Sequence, residues 1–257
     1  MVESVVKSPY SLEGEVALIT GGGTGLGLGM ARCMVCQGAH VVIVGRREEQ
    51  LKNACEGLGR TSSYFVHDVT DLDSADHLIA RISEKGGPPT ILVNNAGQHL
   101  KKNAVETTHQ DFHALIDTHL LASHELVRAC VPTMISAGHG SILFVSSMTA
   151  YMGMPRVIAY SAVKSAVTGM VRGLAAELSL KGIRVNAIAP GWIETAALRS
   201  ALDNDPERTS KILSRTPMGR FGTPEEIGHV AAFLCSPGAS FVNGAVLPVD
   251  GGAHMGF

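Results

Sequence analysis

The sequence predicts an α/β fold, a doubly wound parallel sheet of about seven strands with helices on both faces. Three observations carry that expectation. Short apolar runs alternate with longer helical patterns along the chain. Most of the runs are continuously apolar, as strands covered on both faces require. Every motif able to do chemistry follows directly after a strand, where an open α/β sheet binds its ligands.

Strands are expected at Val16–Ile19, Val41–Val44, Tyr64–Val66, Ile91–Val93, Ile142–Val145, Val185–Ile188 and Val246–Val249. Helical patterns lie between them at Leu26–Gln37, Glu48–Gly57, Ser74–Lys85, Asp111–Ala137, Ala159–Lys181 and Pro224–Leu234. Gly38 and Gly182 supply helix-ending glycines, and Thr223-Pro224 supplies a cap and a first-turn proline. No repeat, low-complexity tract or linker divides the chain, so one dinucleotide-binding catalytic domain over 1–257 is expected, with a substrate flap at about 192–215.

Composition narrows the function. Hydrophobic residues make up 45% of the chain, enough for a sizeable core, and a net charge of −2 gives no argument for nucleic acid or an anionic membrane. No apolar run is long enough to span a bilayer, and Met1 to Tyr10 lacks the apolar centre of a signal peptide, so a cytoplasmic location is expected. Of the five cysteines, Cys33 and Cys36 have redox or metal spacing, yet both fall in the first helix and no second Cys or His pair follows. They read as packing residues, and no metal site is expected.

The first strand runs into Thr20-Gly21-Gly22-Gly23-Thr24-Gly25-Leu26-Gly27, a T-G-x-x-x-G-x-G pattern. Glycines here let backbone N–H groups approach a pyrophosphate, which a following helix N-terminus attracts. After the second strand come Gly45, Arg46 and Arg47, with no acid before Glu48. An acid at this point would hold a free ribose 2′-hydroxyl, whereas two arginines suit a 2′-phosphate. Cations are also unfavourable at a helix N-terminus unless an anion compensates. NADP(H) is therefore favoured, with NAD(H) the alternative. Asp68 and Val69, after the third strand, are candidates to cap the adenine.

Tyr160 and Lys164 stand four apart on the longest helical pattern, one turn from each other, and Ser147 lies thirteen residues before Tyr160. A lysine cation beside a phenol favours phenolate and is expected to lower the tyrosine pKa. A serine hydroxyl at the same point can hold a substrate oxygen, which makes the trio a proton-transfer device. Ser146 is the rival for the serine.

With the glycine turn, Asp68, Asn94-Asn95-Ala96-Gly97, Ser147, Tyr160 with Lys164, Pro190-Gly191 and Asp250-Gly251-Gly252, the chain resembles the short-chain dehydrogenase/reductase family from about Leu12 to Gly252. The resemblance implies a Rossmann-like fold and hydride transfer between NADP(H) and a carbon bearing oxygen. Tyr160 would be the acid/base, Lys164 would hold the nicotinamide ribose, and Ser147 would orient the carbonyl. Asn95, Ala96 and Gly97 would shape the cofactor groove, and Pro190, Gly191, Ile193 and Thr195 would lie along the nicotinamide amide. A homotetramer joined through the two longest helices and the C-terminal segment is also implied. His119 stands where the family usually has an asparagine, whose backbone carbonyl holds a water that serves the lysine. The histidine keeps that carbonyl, and its ring could exchange protons near neutral pH.

The substrate is less defined. His99, Lys101 and Lys102 follow Gly97, and Arg199, Arg208, Lys211 and Arg215 lie along the flap, partly cancelled by Glu194, Asp203, Asp205 and Glu207. These cations suit an anionic substrate such as a sugar acid; a solvated rim is the alternative. Gluconate 5-dehydrogenase-like and 3-oxoacyl-(acyl carrier protein) reductase-like members look most similar. A regulator that senses NADP(H) without catalysis is the competing class, against which the complete trio of Ser147, Tyr160 and Lys164 argues.

Overall fold

The computed structural model describes residues 8–203 and 205–255. Its sheet is parallel throughout, with strands β1 (Val16–Thr20), β2 (His40–Gly45), β3 (Ser62–Val66), β4 (Ile91–Asn94), β5 (Gly140–Val145), β6 (Ile183–Pro190) and β7 (Val246–Val249). The order across it is β3-β2-β1-β4-β5-β6-β7. Each expected strand is present. Strand order reverses between β1 and β4, so the loops leaving those two strands open a crevice at the carboxyl edge.

Helices α1 (Gly25–Cys36), α2 (Glu48–Leu58), α3 (Ala75–Gly86), α4 (His109–Ile116), α5 (Ala122–Ala137), α6 (Ile158–Leu178), α7 (Ala196–Leu202), α8 (Pro206–Ser214) and α9 (Pro224–Cys235) complete the fold. Alternate residues along each strand feed two apolar layers. Ala17, Ile19, Val41 and Ile43 pack with Met30, Met34, Leu51 and Ile227 of α1, α2 and α9. Leu18, Val42, Val44 and Leu92 pack with Leu78, Leu126, Cys130 and Val171 of α3, α5 and α6. Burial on both faces is the physical reason that these strands read as unbroken apolar runs. Cys33 is buried near the start of α9, its sulfur 3.6 Å from the Glu225 carbonyl oxygen, while Cys36 is exposed.

Two expectations are revised. The pattern over Asp111–Ala137 is not one helix. It starts at His109 behind a Thr108–Asp111 capping box, passes through a π turn at Asp117–Leu121, and resumes as α5. The π turn adds a residue to one turn, which apolar periodicity does not register. The segment expected as a flap carries α7 and α8, joined by a short connection; Asp205 and Pro206 open α8, with Asp205 accepting from the Arg208 amide at 2.9 Å. The long helix ends as expected, with a single 3-10 turn at Ser179–Lys181 before left-handed Gly182. Most of Met1 to Tyr10, and the last two residues, lie outside the described residues. No helix among the described residues is long and apolar enough to cross a membrane.

Candidate active site

The loops after β1 and β4 are latched to each other. The Thr20 hydroxyl accepts from the Asn95 and Ala96 amides at 3.0 and 2.9 Å, and the Asn95 side chain donates to the Thr20 carbonyl at 2.8 Å. Thr20 was part of the sequence motif without an assigned role; its part in holding the crevice open is visible only here.

Above this latch is a cavity of 410 Å³. Of the residues expected to hold the cofactor, Gly21, Gly23, Thr24, Gly25, Leu26, Gly27, Gly45, Arg46, Arg47, Asp68, Val69, Asn95, Ala96, Gly97 and Thr195 line it, and Tyr160 and Lys164 do not. Gln50, His67, Thr70 and Thr118 line it as well and were not foreseen. The first turn of α1 carries no acidic residue, which leaves its positive end free for an anion. Arg46 reaches Asp68 at 3.7 Å. The Thr70 amide and then its hydroxyl hold the Asp68 carboxyl below its ordinary range, so it stays ionised beside the arginine. Pro190, Gly191 and Ile193 do not line this cavity. Pro190 ends β6, Gly191 packs against Asp250, and Ile193 is buried and bridges to Gly222.

Tyr160 and Lys164 share one face of α6, and β5 delivers the serines to it. Ser146 is consumed structurally, donating to the Lys164 backbone carbonyl at 3.1 Å. Ser147 caps a 3-10 turn, its oxygen accepting from the Thr149 amide and hydroxyl at 3.2 and 3.0 Å, and its hydroxyl lies in hydrogen-bonding reach of the Tyr160 phenol. Lys164 is buried, and its Nζ donates to the Val145 carbonyl at 2.6 Å, 5.5 Å from the Tyr160 ring centre. Burial pulls the lysine down to about 7. Burial also pushes the Tyr160 phenol up to about 12, with Ser147 pulling the other way. The expected lowering of the tyrosine by its lysine neighbour is thus not seen: burial sets the direction, and the opposing pull comes from Ser147.

His119 is buried in the π turn, and its Nε2 stands 2.9 Å from the Gln98 carbonyl and 3.3 Å from the Gln98 amide. Burial first, and the Lys164 charge second, lower the ring to about 3, so it stays neutral across ordinary pH. Proton exchange by this ring near neutrality is therefore not supported. Its position is instead a packing solution: a Cβ on Gly97 would lie 2.2 Å from the His119 ring, so only glycine fits opposite it. The ring lies 5.9 Å from that of Tyr160, centre to centre, and nearly perpendicular to it.

On the other side of the loop after β4 lies a second cavity, of 260 Å³, lined by His99, Lys101, Met152, Met154, Pro155, Arg156, Val157, Trp192, Arg208, Lys211, Ile212, Arg215 and Ala253. Its connection to the first is through the chain itself. The loop after β4 gives Gln98 to one cavity and His99 to the other, and the segment after β6 gives Thr195 to one and Trp192 to the other. The His99 ring stacks 4.7 Å from Tyr160, centre to centre. Burial, then the Lys101, Arg208 and Lys164 charges, hold that ring below its ordinary value. Lys101 is lowered in the same way by burial, Arg208 and Arg156. Arg156 was missed in the sequence because nothing in its spacing marks it. Its backbone is left-handed, with φ 71°, the sole non-glycine among the described residues at positive φ. That conformation costs an arginine about 1 kcal/mol or more.

These features match known proteins. A family model described as enoyl-(acyl carrier protein) reductase covers residues 21–254. The chain is 37% identical to a gluconate 5-dehydrogenase of Gluconobacter oxydans, over 95% of this chain and 96% of the relative. It is 38% identical to a 3-oxoacyl-(acyl-carrier-protein) reductase of Thermotoga maritima, over 94% and 98%. Among solved structures, a gluconate 5-dehydrogenase from Burkholderia cenocepacia in complex with NADP and tartrate aligns with a TM-score of 0.91 at 34% identity, over 97% of this chain and 98% of that one. On its fold, its sequence and the match of most of its length, this chain belongs to the short-chain dehydrogenase/reductase family of oxidoreductases.

Proposed function

We propose that the protein interconverts a ketone and a secondary alcohol with NADP(H), on a small anionic molecule such as a sugar acid. The observation that carries this reading is the grouping of Ser147, Tyr160 and Lys164 beside His99, which lines a small cavity rich in cations, on a loop whose Asn95, Ala96 and Gly97 line a glycine-walled cavity bearing Arg46 and Arg47. NADP(H), when bound, supplies or accepts the hydride. The start of α1, where the residues present suit an anion, would hold the pyrophosphate, and Arg46 and Arg47 would hold the 2′-phosphate. Tyr160 exchanges the proton with the substrate oxygen, Ser147 holds that oxygen in place, and Lys164 supports the phenol from behind. His119 and Gly97 together shape the wall between the cavities. The relatives that accept 3-oxoacyl thioesters support a second reading, reduction of a carrier-bound acyl group. The 260 Å³ cavity and its cations favour the small acid.

The fully exposed apolar side chains of Leu180 and Phe241 support assembly of the chain into a homotetramer. Light scattering on a gel-filtered sample is expected to give the mass of four chains, and a monomer mass would refute it. Tyr160→Phe is expected to lower turnover by about 10²–10⁴-fold while NADPH still binds; near-normal turnover in that variant would show the acid/base assignment to be wrong. Arg46→Ala combined with Arg47→Ala should raise the KM for NADPH by about tenfold or more and leave that for NADH nearly unchanged. Equal changes in both would remove the 2′-phosphate role.

Lys164 gives a prediction that sets stability against function. Its folded value of about 7 lies below the ordinary 10.5, so the buried amine costs stability in full below about pH 7, and the cost vanishes toward pH 10.5. Lys164→Met should therefore melt higher than the wild type near pH 6–7, with the gap closing in alkali, while turnover falls by about 100-fold or more. Melting curves across pH check the sign; a variant destabilised most at low pH would contradict it.

A further inference from the structure

We propose that Arg156, with Arg208 facing the same cavity from α8, forms a clamp for an anionic group on the substrate, a carboxylate or a phosphate, and so decides which ketones the enzyme accepts. This rests on the reading of the site as an NADP(H)-dependent carbonyl reductase.

Charge is the first support. Lys101, Arg156, Arg208, Lys211 and Arg215 line the small cavity, and no carboxylate does. Among the described residues none of the five has an ion-pair partner. Two acids of the segment after β6 are committed elsewhere, Glu194 to Arg199 at 3.0 Å and Asp205 to the start of α8, although the Asp205 charge also acts on Lys101. Like charges gathered in a narrow cleft repel one another until an anion enters.

Backbone strain is the second support. Glycine would hold the left-handed turn at position 156 without cost, so an arginine there is tolerated for what its side chain reaches. The turn is braced for that purpose. The Lys102 amide donates to the Arg156 carbonyl at 2.8 Å, and the Lys102 ammonium is held by Asp111 at 2.8 and 2.9 Å. Asp111 in turn closes the capping box of α4.

Position is the third. Arg156 lies four residues before Tyr160 on the same segment, and His99, stacked on Tyr160, lines the cavity beside it. A guanidinium presents parallel N–H donors that match carboxylate or phosphate oxygens, so the clamp fixes orientation as well as charge.

The test uses the NADPH-saturated protein and three probes at matched ionic strength: tartrate, inorganic phosphate, and threitol, the uncharged counterpart of tartrate. Calorimetry or thermal shift on the wild type is expected to show binding of tartrate or phosphate and none of threitol, and the anion that binds identifies the group recognised. Arg156→Asn keeps a residue that tolerates left-handed backbone and removes the cation; Arg208→Gln removes the opposite arm. Each should weaken the anion's Kd by about tenfold or more, with the Kd for NADPH unchanged. Threitol binding as well as the anions, no anion binding at all, or either variant keeping the wild-type Kd would overturn the clamp alone. No stabilisation of the wild type by NADPH would overturn the reading beneath it and the clamp with it.

Discussion

A buried lysine organises this site. Lys164 lies on α6 against the end of β5, and its ammonium donates to the Val145 carbonyl at 2.6 Å. Burial on that scale favours the neutral amine, and the group's position near neutrality is the direct consequence. The same burial raises the adjacent phenol. Tyr160 is thereby kept protonated, in the state of a proton donor, and its ionisation depends on whatever charge develops beside it. Ser146 ties the backbone of Lys164 to β5 while Ser147 turns toward the phenol, so two adjacent serines divide structure and chemistry between them.

The surroundings extend that logic. Arginines at the end of β2 and the positive end of α1 face one cavity; a ring of lysine and arginine faces the other. Gly97 lines the first cavity, and its missing side chain makes space for the His119 ring, which meets Tyr160 edge-on. The neutral His119 adds packing and a hydrogen bond to the Gln98 backbone, which steadies the loop that carries His99 against Tyr160.

Much of this was legible in the chain. The five inner strands stood out because burial on both faces leaves a one-dimensional trace, an apolar run, whereas the edge strands β3 and β7 are only partly buried. The glycine turn, Arg46, Arg47 and the Ser147, Tyr160 and Lys164 trio stood out because their chemistry demands particular residue types near strand ends. The π turn in the middle of an apparent helix left no such trace, since one extra residue per turn hardly disturbs apolar spacing. The two helices of the flap were missed for a related reason: short, polar, capped segments owe their form to what they pack on.

The sequence by itself determined the fold class, the order of the elements and the family, and it singled out the candidate trio, because these are written in local pattern and residue type. Tertiary structure alone decided the protonation balance of Tyr160 and Lys164, the neutrality of His119 and the left-handed Arg156 beside a cation-lined cavity. Those properties depend on how much water each group keeps and which charges lie near it in space, and residues far apart in the chain set both.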